Sequence, residues 1–193
     1  MLIDLSVKIT KESNKNVLNN DEAKLASFGH LGTHFDVMDK KFPLEYTKRD
    51  AIVFDVSQIL DKDIDVSDID INLVNENMFV AFYTGYIEKE GYGTKTYFTS
   101  HPQLSDELIN QLVNRKISII GIDFAGVRRG KDHTPKDQYC ADRDVFVIEN
   151  LCNLDKVLNQ KKSIKFTANA YPINFADMTG LPCRVVAEME QIL

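Results

Sequence analysis

The sequence predicts an α/β fold: one domain on a mixed β-sheet with few helices. Three observations carry this expectation: the chain length, a series of short β-branched runs, and one amphipathic helix between two of them. The 193 residues fit a single domain spanning residues 1–193, a size that buries a core without disulfides or structural metals.

The strands come in order. Leu2-Ile3-Asp4-Leu5-Ser6-Val7 alternates loosely, and residues 51–56 (AIVFDV) form a β-branched run. Residues 77–84 are apolar and end at Gly85, and residues 117–123 (ISIIGID) are isoleucine-rich. Residues 145–148, 163–170 and 183–188 complete about seven strands. Ser105 precedes Glu107 and the apolar positions Leu108, Ile109, Leu112 and Val113, which is helical spacing behind an N-cap. That helix joins two apolar strands as an αβ unit. The acidic stretch 65–72 reads as a short capped helix or turn. Residues 11–20 are polar and Asn-rich, 126–139 polar and charged, and 172–182 bounded by prolines; all three read as loops.

Composition narrows the function. Net charge is −6 with Lys and Arg scattered, so the chain lacks the basic face that nucleic acid requires. The opening MLIDLSVKIT has no basic segment leading into an apolar run. No stretch approaches the ~20 apolar residues of a membrane helix. Cys140, Cys152 and Cys183 form no C-x-x-C pair and are expected as reduced cysteines in or near the core of a cytoplasmic protein.

Two of the four histidines fall in His30-Leu31-Gly32-Thr33-His34-Phe35-Asp36. A helix would place His30 and His34 on one face but swing Asp36 roughly 200° from His34. An extended chain puts residues 30, 32, 34 and 36 on one face, yet a straight strand holds the two histidine Cα atoms ~13 Å apart. A bend at Gly32-Thr33 brings the rings together, and glycine permits it. Two imidazoles and a carboxylate then converge with a coordination position open, a set suited to Zn²⁺ or Mn²⁺. On spacing alone, two unrelated surface histidines beside an acid remain the other reading.

The segment from His30 to Lys40 resembles the motif H-x-G-T-H-x-D-x-P-x-H of the cyclase family of metal-dependent hydrolases, which includes bacterial kynurenine formamidase. Further matches follow in order: Ile3-Asp4-Leu5-Ser6, Phe82-Tyr83-Thr84-Gly85, His101-Pro102-Gln103-Leu104-Ser105, Ile120-Gly121-Ile122-Asp123, Glu149-Asn150-Leu151-Cys152-Asn153-Leu154 and Gly180-Leu181-Pro182-Cys183-Arg184-Val185. The resemblance implies a barrel-like core of the swivelling β/β/α type. It implies metal ligation by His30, His34 and Asp36, and a site role for Glu149. It also implies hydrolysis of an amide, formamide or lactam bond in a small aromatic or cyclic compound, formylkynurenine of tryptophan catabolism being the best-known case. The expected nucleophile is a water whose pKa the ion lowers toward neutrality. Homodimers or homotetramers are usual in the family, and no nucleic-acid or membrane partner is expected.

The sequence departs from the motif. Lys40 stands at the third histidine, Met38 at the proline, and Asp137 where the family has a histidine before the E-N-L glutamate; His133 substitutes if the loop is registered differently. A protonated Lys40 placed at the second ion's position and paired with Glu149 gives a one-metal centre, with Lys40 and Glu149 orienting water or substrate. The alternative is a solvated Lys40 and a catalytically inactive descendant that binds a ligand or partner. For substrate binding, His101, Phe28 and Arg128 are the candidates. Arg129 is a second carboxylate-binding arginine, Phe35 and Tyr97 are possible aromatic walls, and Tyr139 is a possible proton donor; core packing or solvation competes at each.

Overall fold

Side-chain alternation along the strands sets the architecture. The computed structural model describes residues 1–19, 23–59 and 61–189. In chain order the strands are β1 (Leu2–Asp4), β2 (His34–Asp36), β3 (Lys48–Asp55), β4 (Phe79–Tyr83), β5 (Ile119–Ile122), β6 (Phe146–Glu149), β7 (Ser163–Pro172) and β8 (Gly180–Glu188). The helices are α1 (Lys11–Leu18), α2 (Ala23–Ser27), α3 (Tyr86–Glu90), α4 (Lys95–Thr99), α5 (Asp106–Asn114), α6 (His133–Ala141) and α7 (Leu154–Leu158).

The strand order is β1-β8-β2-β6-β5-β4-β3-β7, and β7 also pairs with β8. Seven strands therefore close into a mixed barrel, with β1 attached to β8 as the eighth. Strands β3, β4, β5 and β6 run parallel, and the other pairings are antiparallel.

Odd and even positions face different cores, as the two-residue period of a strand requires. Ala51, Val53, Phe79, Ala81, Ile119, Phe146 and Ile148 join Phe166, Ala168 and Val185 inside the barrel. Their neighbours Ile52, Phe54, Val80, Phe82, Ile120, Ile122 and Val147 form a second, outer core with the buried face of α5. Ser105 caps α5 by accepting from the Leu108 amide at 3.0 Å, and Leu108, Ile109 and Leu112 are fully buried, each contributing about 1.5–3 kcal/mol. Gly121 faces Phe79 and Leu151 so closely that a Cβ would lie 2.7 Å from the Phe79 ring.

The seven expected strands and the Ser105-capped helix are present, and the acidic stretch holds two short 3-10 turns at Val66–Asp68 and Ile71–Leu73. Two expected loops are corrected. Residues 11–18 are the helix α1, started by the reciprocal Thr10–Ser13 capping box; Asn20 lies outside the described residues. The second half of the 126–139 stretch is α6. All three cysteines are free, with Cys140 buried. Among the described residues no helix is long and apolar enough to cross a membrane.

Candidate metal centre

Strand β2 is only three residues long and lies between β6 and β8, with His34 opposite Glu149 and Asp36 opposite Val147. Phe35 points into the barrel, so His34 and Asp36 face outward, on the side covered by α6. Gly32, with φ +66°, supplies the expected bend before the strand and turns His30 back over His34. The two rings approach to 3.1 Å between His30 Nδ1 and His34 Nε2. His30 also needs room beside β8: a Cβ on Gly180 would stand 2.8 Å from its ring.

The other ring nitrogens are anchored. His34 Nδ1 donates to the Gly32 carbonyl at 2.8 Å, leaving Nε2 with its lone pair inward. His30 Nε2 lies 2.8 Å from Thr179 Oγ1, and donation there leaves Nδ1 as the inward lone pair. A polar scaffold fixes the bend itself. Asn150 donates to the Gly32 carbonyl (2.8 Å) and accepts from the Tyr97 hydroxyl (2.7 Å), while the Gly32 amide donates to Tyr92 (2.7 Å).

Asp36 Oδ1 lies 2.8 Å from His30 Nδ1 and 3.4 Å from His34 Nε2. Yet both Asp36 oxygens are buried without an aligned hydrogen bond among the described residues. An orphaned buried carboxylate costs several kcal/mol, on the order of 1–3 for each neutral group and more when charged. The inward ring nitrogens crowded against it offer lone pairs to a cation once any proton there is displaced. The donor atoms of His30, His34 and Asp36 lie 2.8, 3.1 and 3.4 Å apart, within the roughly 4 Å that two ~2.0–2.2 Å bonds to one ion span.

A second set shares Asp36. Helix α6 carries His133 and Asp137 one turn apart, and Asp36, His133, Asp137 and Glu149 again offer ligand atoms within 4.8 Å of one another. His133 Nε2 lies 3.0 Å from Glu149 Oε1 and 3.2 Å from Asp137 Oδ2, and Glu149 Oε2 lies 3.6 Å from His34 Nε2. Asp137 Oδ1 is buried and has no hydrogen-bond partner among the described residues.

Charge follows from this crowding. Burial pulls the His34 pKa down, but Asp36 and Glu149 outweigh it and raise it to about 9. Burial likewise opposes His133, and Asp137 and Glu149 lift it to about 10. Despite burial, His34 and His30 hold Asp36 well below the usual carboxylate range. Burial, opposed by His133, pushes Asp137 well up. Protons thus occupy positions that a cation would displace.

A cavity of about 370 Å³ opens onto this cluster; its lining includes His30, His34, His133 and Glu149 together with Leu25 and Phe98. The expected ligand residues His30, His34 and Asp36 come together, with Glu149 beside them. Lys40 does not join them. Its ammonium pairs with Asp142 (2.8 Å) and Asp39 (3.1 Å), which raise its pKa, so the expected Lys40–Glu149 pair is corrected. Met38, in place of the motif's proline, takes φ +56° and turns the chain away after Asp36.

None of the three expected substrate residues lines the cavity. Phe28 is 44% exposed. His101 is buried, stacks on Phe124 and donates from Nδ1 to the Pro102 carbonyl; burial lowers its pKa to about 4. Arg128 is engaged by Asp63 (2.6 Å) and the Leu104 carbonyl (2.8 Å). Phe35 and Tyr97 are fully buried, and Tyr139 packs against the outer core beneath Arg143. Thr179 and Asn150, which orient the cluster, carried no role in the sequence; Asn150 was visible only as a member of the E-N-L match.

A closed mixed barrel with a buried histidine–carboxylate cluster facing a cavity defines a class: an α/β barrel protein with ligands for a metal ion. Residues 3–128 match the family model Cyclase, described as "Putative cyclase", and the chain belongs to that family. Similar solved structures include a "potential metal-dependent hydrolase with cyclase activity" (TM-score 0.73, 18% identity, 99% of each chain covered). Another is a "predicted metal-dependent hydrolase from Bacillus stearothermophilus" (0.73, 19%, 97% of each chain). A third is isatin hydrolase A from Labrenzia aggregata bound to benzyl benzoate (0.64, 20%, 81% of this chain and 72% of that one). No curated protein matches the sequence.

Proposed function

We propose that this protein is a metal-dependent hydrolase that cleaves a C–N bond (amide, formamide or lactam) in a small aromatic or cyclic compound. One observation carries the reading: His30 Nδ1, His34 Nε2 and the buried Asp36 carboxylate, which has no aligned hydrogen bond among the described residues, converge beside the cavity. Cyclase-family membership and the similarity to structures described as metal-dependent hydrolases and an isatin hydrolase support it.

A divalent ion, zinc or manganese, held by His30, His34 and Asp36 would supply Lewis acidity and a water of lowered pKa. Glu149 would serve as the proton acceptor beside such an ion, its carboxylate lying 3.6 Å from His34 Nε2 and 3.0 Å from His133 Nε2. His133, bonded to Glu149, lining the cavity and protonated under its raised pKa, donates its proton to the leaving nitrogen and recovers one from Glu149. Leu25 and Phe98 give the substrate an apolar wall.

The sharing of Asp36 between two ligand sets favours a second reading, with a further ion held by Asp36, His133, Asp137 and Glu149. Elemental mass spectrometry on tag-free protein separates the two. One zinc or manganese per chain, lost in His34→Ala together with hydrolysis of formanilide or isatin, is the expected result. Two ions per chain favour the second reading. Protein that takes up no metal on reconstitution is not a metallohydrolase.

A further inference from the structure

Consecutive arginines on the loop between β5 and α6 have opposite fates. Arg128 turns away from the cavity and is held by Asp63 and the Leu104 carbonyl. Arg129 lines the cavity and is exposed. Its guanidinium forms no ion pair and donates no hydrogen bond among the described residues, whereas its backbone is fixed. The Arg129 amide donates to Gln103 Oε1 at 2.8 Å, and its carbonyl accepts from Asp132 in the 3-10 turn that starts α6. That short turn leads directly to His133, so Arg129 and the proposed proton carrier stand at the two ends of one turn.

Histidines aside, Arg129 is the one cationic side chain among the cavity-lining residues, and Leu25, Phe98 and Ala125 supply apolar surface beside it. A guanidinium is always charged and presents a planar fork of donors that matches a carboxylate. An aryl group against the apolar wall with a carboxylate on Arg129 fits this combination.

We infer that Arg129 is a specificity-determining residue and that the cavity takes anionic substrates: small aromatic amides carrying a carboxylate beside the bond to be cleaved. The term substrate rests on the hydrolase reading above, but the anion site itself does not.

Calorimetric titration of metal-loaded protein with anthranilate and with aniline tests it, because neither probe contains a hydrolysable bond. Wild-type protein should bind anthranilate more tightly than aniline by about ten-fold or more, the effect of a hydrogen-bonded charge. Arg129→Gln should collapse that ratio toward unity, and Arg129→Lys should restore part of it. Metal content of each variant serves as the folding control. A ratio unchanged in Arg129→Gln, or wild-type protein that does not bind anthranilate, overturns the inference. Assays with N-formylanthranilate and formanilide run beside the titration. If neither is hydrolysed while the anthranilate ratio depends on Arg129, the anion site stands and the hydrolase reading is what fails.

Discussion

His133 Nε2 stands 3.0 Å from Glu149 Oε1, joining helix α6 to the end of β6 across the cavity wall. The contact ties a side chain that the sequence left in an uncertain register to the glutamate of the E-N-L segment. If His133 shuttles a proton, His133→Gln keeps bound metal and lowers kcat by about 10²–10⁴-fold. Loss of the ion in that variant would instead make His133 a ligand; metal content and kcat measured together decide.

Thr179 would act on a bound ion through His30. Thr179→Val removes the hydroxyl 2.8 Å from His30 Nε2 and keeps the branched shape. Metal affinity, measured by chelator competition, should fall about 10–100-fold, as when an outer partner of a ligating histidine is lost. An unchanged affinity would mean that packing alone orients the ring.

Lys40→Ala should leave metal content and turnover unaltered, because its ammonium is occupied by Asp142 and Asp39 at the surface. A parallel loss of both would restore Lys40 to the site and require the loop after Asp36 to move.

Asp123 gives a pH signature independent of the metal. It is fully buried and accepts from the Thr84 amide, the Thr84 hydroxyl and the Gly85 amide; burial nonetheless pushes its pKa up to about 7. The unfolded chain releases this proton near 3.8, so between there and about 7 the native state binds more protons and stability falls as pH rises. Above about 7 both states are ionised and the slope vanishes. Asp123→Asn reproduces the protonated form. Wild type should match it near the low end of that range and fall below it by up to a few kcal/mol at the high end. Denaturant titrations across the range check the sign; a wild type that gains on the variant as pH rises would contradict it.

The parts of the fold legible in sequence are those where a strand buries both faces or a helix buries one. Residues 51–54 and 79–82, with Ile119, Ile120 and Ile122, fill the inner and outer cores in turn, so their apolar runs were unambiguous. Helix α6 was not legible, because two of its three buried residues are Cys140 and Ala141 and the other is Asp137. Its inward face belongs to the candidate site, and a helix that presents ligands to a cavity looks like a polar loop. Helix α1 buries only Val17 and starts on a Thr10–Ser13 exchange that resembles ordinary polar sequence. At the site, His30, His34 and Asp36 were legible from spacing and one glycine. Lys40 was misread because the positive φ at Met38, which diverts the chain, leaves no mark in the residue type.

The short strand β2 has a consequence for how the molecule is made. Its His30 flank rests on Gly180 and Thr179, and its other neighbour is β6, so the pocket is walled by segments about 150 residues apart in sequence. A chain still emerging from the ribosome has His30, His34 and Asp36 long before it has the residues that aim them. An ion held by His30, His34 and Asp36 would therefore be loaded only after barrel closure, and a chain ending before Thr179 would carry the motif without the residues that aim it.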